Sequence, residues 1–108
     1  MHIKKIYLAE DLPDEKSGVQ KEALDYGFMN TDVIVQLDNK NTYRANFITL
    51  KKLVETFNEH QNKAEDLSKE YLWSKNMVIT KNLEKKVLKP MVEHMIEEGD
   101  FQLIFEKL

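Results

Sequence analysis

The chain has 108 residues, no cysteine, 42% apolar and 32% charged residues, and a formal net charge of −3. These values describe one domain large enough to bury a core without staples, 1–108, and exclude a disulfide framework, a thiolate metal site and a cysteine nucleophile. A net acidic chain also lacks the basic surface that bulk nucleic-acid binding requires.

The stretch from Met1 to Glu10 carries His2, Lys4 and Lys5 but no apolar run of signal-peptide length. No run approaches the roughly 20 apolar residues that cross a bilayer. The expectation is a soluble cytoplasmic protein with no membrane partner, which suits the missing cysteine. The cations are fifteen lysines and one arginine, Arg44, a bias that often accompanies an A+T-rich genome. Charge is unevenly placed. Residues 10–25 hold Glu10, Asp11, Asp14, Glu15, Glu22 and Asp25 against Lys16 and Lys21, whereas residues 75–90 hold Lys75, Lys81, Lys85, Lys86 and Lys89 against Glu84. The pattern describes either two solvated faces or a dipole that steers a charged partner.

Ile3 to Leu8 reads as a short strand. The segment 9–30 is acidic, with Pro13 in an exposed loop, and is either a mobile arm or a loop with a short helix over Val19 to Tyr26 that Gly27 terminates. Val33, Val35 and Leu37 then alternate, Asp38-Asn39-Lys40-Asn41 supplies turn residues, and Tyr43, Ala45 and Phe47 alternate beyond it. This is a β-hairpin. Thr49 is placed to cap a helix whose apolar stripe is Leu50, Leu53, Val54, Phe57 and Ala64. Asn62 to Lys69 leads onward.

Tyr71, Trp73, Met77 and Ile79 fall on alternate positions, with Leu72 and Val78 apolar on the other face, so 71–80 reads as a central strand buried on both sides. Ten straight residues would span about 33 Å. A bulge or sharp bend is therefore expected at Ser74-Lys75-Asn76. Asn82 is a candidate cap for a second helix with Leu83, Val87, Leu88, Met91, Val92, Met95 and Ile96 inward. Pro90 either kinks that helix or marks its start near Lys89. Gly99 ends it, and Phe101, Leu103 and Phe105 alternate as a closing strand. Together these elements make an α+β fold, a mainly antiparallel sheet of about four to five strands with two main helices packed on one face.

The half of the chain from about Asp32 resembles a group of small bacterial α+β proteins of uncharacterised function. The matching residues are Tyr71 and Trp73, then Met77, Val78 and Ile79, then Gly99, Asp100, Phe101, Ile104 and Phe105. The chain departs from the pattern at Leu72, where an aromatic is usual, and at Asn76, where aspartate is usual. The resemblance implies a fold and brings no activity with it.

Catalytic arrangements are not recognisable. There is no Gly-x-Ser-x-Gly elbow or phosphate-binding loop, and Gly18, Gly27 and Gly99 read as turn and helix-end residues. His94 and Glu98 stand four apart on one helix, near Glu93 and Glu97, yet no third metal ligand is evident. The reading is a non-enzyme without cofactor or metal. Tyr43, Arg44, Tyr71 and Trp73 are a candidate ligand-binding aromatic cluster, although these rings more simply belong to the core. Lys81, Lys85, Lys86 and Lys89 are the candidate partner-binding surface. The functional expectation is protein–protein binding, as in an accessory, inhibitor or immunity-like protein, with an unidentified partner and a homodimer through a sheet edge as one form. The alternative is a small-ligand domain with its pocket between sheet and helices.

Overall fold

The computed structural model describes residues 2–11, 25–59 and 71–108. The short helix expected over Val19 to Tyr26 and the return segment Asn62 to Lys69 lie largely or wholly outside the described residues. The elements are β1 (Ile3–Leu8), a 3-10 turn (Ala9–Asp11), β2 (Asn30–Leu37), β3 (Thr42–Thr49), α1 (Leu50–Glu59), β4 (Met77–Thr80), α2 (Lys85–Glu97), α3 (Phe101–Ile104) and β5 (Glu106–Lys107). The sheet runs β1-β2-β3-β4 and is antiparallel except for the parallel β3–β4 pair, with β5 antiparallel to β3. An α+β fold with a mostly antiparallel sheet is what the alternation predicts.

The β2–β3 hairpin has the expected register, with Val33 opposite Ala45 and Val35 opposite Tyr43. Its turn closes with Lys40 N–H donating to the Leu37 carbonyl (3.0 Å) and Asn41 N–H donating to Asn39 Oδ1 (2.9 Å). Lys40 takes the left-handed conformation at φ 69°. The odd-numbered face of β2 and β3 buries Val33, Val35, Leu37, Tyr43, Ala45 and Phe47. Leu8 joins them from β1, Leu88 and Val92 from α2, and Phe101 and Phe105 from the chain end, in one continuous core.

Thr49 ties three segments together. Its hydroxyl accepts the Lys52 N–H (3.4 Å), the expected helix cap, and also the Met29 N–H (3.0 Å), while its own N–H donates to the Met29 carbonyl (2.9 Å). Among the described residues no side chain of the helix it starts belongs to the core cluster, although Leu53 and Phe57 are half-buried. Leu50 and Val54 of the expected inward stripe are exposed, and no described side chain of α1 is fully buried. Helix α2 runs unbroken from Lys85 to Glu97 with Pro90 inside it, so the proline marks neither its start nor its end. Asn82 lies two residues before the N-cap position: its Oδ1 accepts the Glu84 N–H at 2.6 Å, and Glu84 holds that position without a side-chain cap bond.

Two expectations are corrected. Residues 71–76 are not strand; only 77–80 pairs, and it pairs at the margin of the sheet rather than its centre. The expected bend is real and lies at Lys75–Asn76, where Asn76 has φ 66°. Asparagine tolerates that left-handed geometry, and the turn consumes the residues that alternation alone assigns to a strand. The ending is likewise not a strand over 101–105. Phe101–Ile104 is one helical turn, which stacks Phe101 on Phe105 at 4.5 Å between ring centroids and sends only Glu106–Lys107 into the sheet.

Candidate functional site

The margin of β3 beyond the hairpin is shared by two strands. Glu106 of β5 sits opposite Arg44, and Met77 of β4 sits opposite Asn46, so the neighbour of β3 changes between those positions. Asn76 holds the junction closed. Its carbonyl accepts the Asn46 N–H (2.9 Å), and its Nδ2 donates to the Ile104 carbonyl (2.8 Å). The Tyr-x-Trp segment and the Gly-Asp-Phe ending therefore meet through Asn76. An aspartate there could accept but not donate, so asparagine has a structural reason at this position in this chain.

On the sheet face opposite the core, the even-numbered positions include Asp32, Gln36, Thr42, Arg44 and Asn46 beside Ile34 and a buried Ile48. Asp32 Oδ1 accepts from Asn46 Nδ2 (3.3 Å), and Arg44 lies between two carboxylates, Asp32 at 4.0 Å and Glu106 at 3.3 Å. All three charged side chains are about two-fifths exposed, so solvent screening keeps the contribution of the pairs to stability small. A cavity of about 330 Å³ opens over this junction, between the Arg44 cluster and Ser74, Lys75 and Asn76. A second, of about 350 Å³, lies where His2 and Ile3 face Lys89, Glu93 and Glu97 of α2. The first lies away from the helices, whereas the second lies between the start of β1 and α2, at the margin of the sheet.

The four residues expected to form an aromatic cluster are not brought together. Tyr43 is in the core, its ring edge-on to Phe101 at 5.1 Å. Arg44, one residue on, points to the opposite face. Tyr71 and Trp73 are exposed, 58% and 69%, which corrects their assignment to the core. They precede the turn, so no strand pairing turns them inward. With Leu72 and Ile79 they leave four large apolar side chains exposed within nine residues, along the outermost strand and the segment entering it. The signal for this was the Ser-Lys-Asn interruption: a turn there uncouples Tyr71 and Trp73 from the face that β4 presents.

Lys81, Lys85, Lys86 and Lys89 are all exposed, as expected. Lys81 follows β4, and Lys85, Lys86 and Lys89 occupy the first half of α2. Lys86 is paired with Glu84 at 3.2 Å. Lys75, part of the same lysine run in the sequence, precedes β4 and lines the cavity over Arg44. His94 and Glu98 are exposed, and among the described residues no three His, Asp or Glu side chains are grouped to hold a metal ion. Among the described residues no helix is long and apolar enough to cross a membrane. No family model, curated protein or solved structure matches this chain.

Proposed function

We propose that the chain is a small cytoplasmic, non-catalytic protein that acts by binding another protein, in the manner of an accessory, inhibitor or immunity protein. The observation that carries this reading is the exposure of Tyr71, Leu72, Trp73 and Ile79, in a stretch that also holds exposed Lys75 and is followed by exposed Lys81. Tryptophan and tyrosine are the residue types that dominate binding energy at protein interfaces, and large apolar groups clustered on a surface mark interaction sites. Lys75 and Lys81, which bracket β4, supply positive charge next to it in the chain, which raises association rate and selects an acidic partner surface; Lys85, Lys86 and Lys89 add exposed positive charge on α2. The net charge of −3 favours a protein over nucleic acid as that partner. Affinity capture from the native host, with wild type beside a Tyr71→Ala/Trp73→Ala variant, tests it. A partner held by wild type and lost by the variant is expected; one held equally by both places the interface elsewhere.

A second reading, a small-ligand domain, is favoured by the polar cavity over Arg44, whose volume is at the lower end of small-molecule sites. Thermal-shift screening against amino acids, nucleotides and sugars tests it, with Arg44→Ala as control. Any stabilisation that survives Arg44→Ala removes the cavity from consideration.

A further inference from the structure

We infer that the outer edge of β4 accepts an extended, acid-flanked segment of the partner as an additional strand, an inference that rests on the protein-binding reading above. The ladder geometry shows what that edge offers. In a parallel pair, the N–H and C=O of one residue turn to the same neighbour, and those of the next residue turn to the other side. The Asn76 carbonyl bonds to Asn46 N–H, and the register sets Asn46 opposite Met77 and Ile48 opposite Ile79. Residues 76, 78 and 80 therefore face β3, and the backbone groups of Met77 and Ile79 face outward. No described strand pairs that side.

The two margins of the sheet are treated differently. At the other margin, β1 carries a register irregularity between Ile3 and Lys5 and exposes Lys4 and Lys5, devices that discourage strand addition. Met77-Val78-Ile79-Thr80 has no proline, no charge and no bulge. Its exposed Ile79 offers an apolar contact to a side chain of an added strand.

Charge selects the occupant. Lys75 and Lys81 flank β4, both exposed, and neither has an ion pair among the described residues. A second copy paired antiparallel about Val78 would bring Lys75 of each chain, in the turn before β4, toward the end where Lys81 of the other follows it, and like charges brought together are destabilising in that register. The sheet-edge homodimer expected from the sequence is thus disfavoured at this margin. A foreign segment with Asp or Glu at both ends and alternating β-branched residues between them satisfies both lysines and both pairs of outward backbone groups.

The test is panning of a phage-displayed library of random peptides of about 12 residues, long enough to span β4 at about 3.3 Å per residue, on the full chain. Enriched sequences are then studied as synthetic, end-blocked peptides. Acidic ends around an alternating centre are expected, with exchange of the Met77 and Ile79 amides slowed about tenfold or more at saturation. Ile79→Pro removes one outward N–H without touching the ladder to β3; it should weaken binding about tenfold, and Ile79→Ala by much less. Lys75→Glu/Lys81→Glu should slow association about tenfold at low salt and leave the thermal midpoint unchanged. Circular dichroism checks the proline variant, and if it is unfolded the charge reversal and amide protection decide. Enriched peptides that bind Ile79→Pro as well as wild type, or that lack acidic ends, overturn the inference while leaving the protein-binding reading to stand. Absence of any enrichment overturns it too, and the Tyr71/Trp73 capture then judges the broader reading separately. A dimer in sedimentation that Ile79→Pro dissociates makes a second copy the occupant and also overturns it.

Discussion

Truncating two large aromatics separately should give opposite results. Phe101 is 1% exposed, stacked on Phe105 and edge-on to Tyr43. Its replacement by alanine removes the full transfer free energy and leaves a cavity between fixed rings, a loss of about 3–5 kcal/mol. Trp73 is 69% exposed. Fully burying such a side chain contributes about 1.5–3 kcal/mol, so the third of it that is covered contributes on the order of 0.5–1 kcal/mol, and truncation at the surface opens no cavity. The sequence pattern alone ranks the two as equals. Urea denaturation separates them: at about 2 kcal/mol per M, Phe101→Ala should lower the midpoint by about 2 M and Trp73→Ala by under 0.5 M. A Trp73→Ala loss above about 2 kcal/mol, or a Phe101→Ala loss below about 1 kcal/mol, would refute the assignment of one ring to the core and the other to the surface.

Thr49→Val keeps the shape but leaves the buried Met29 amide without its acceptor and uncaps α1; a loss of about 1–3 kcal/mol in denaturant titration is expected. Asn76→Asp removes the donor to the Ile104 carbonyl and brings a carboxylate to that oxygen, with an expected cost of about 1–3 kcal/mol, measurable by the same titration at neutral pH. Lys40→Gly relieves a left-handed lysine in the hairpin turn and should gain about 0.5–1 kcal/mol after the added freedom of the unfolded chain is subtracted. Reversing Lys85, Lys86 and Lys89 to glutamate should slow association with the partner at low salt. It should leave the thermal midpoint within about a degree in calorimetry, because the charges are exposed and acidic residues suit a helix start.

What was legible in the sequence followed from local chemistry. The hairpin was fixed by two alternating runs and four turn residues, the start of α1 by Thr49, and the core stripe of α2 by Leu88 and Val92. The bend at 74–76 was legible as a length problem, but not its consequence. Alternation of Tyr71, Trp73, Met77 and Ile79 is the same pattern whether or not a left-handed Asn76 interrupts it, and only the bond from Asn76 to Ile104 decides. The ending misleads for a related reason: Phe101 and Phe105 are four apart, a helical spacing that also fits a strand of alternating rings. The Asp32–Arg44–Glu106 cluster joins residues up to 74 positions apart and has no local signal at all.

The apolar residues of this chain fall into two sets with separate physical roles. The core closes without Tyr71, Leu72, Trp73 or Ile79, and it leaves no buried side-chain polar atom unsatisfied among the described residues. Folding therefore gains little from the second set, whose burial, at about 25 cal/mol per Å², is realised only on association. Exposed apolar groups beside an open strand edge invite self-association. Lys75 and Lys81 oppose that in a symmetric pairing, because each would meet its like. The same two charges attract an acidic segment. One pair of lysines thus favours an acidic partner over a second copy at this edge; their joint reversal should slow binding of acidic peptides and admit lysine-flanked strands instead, while glutamate meeting glutamate would still oppose the symmetric pair.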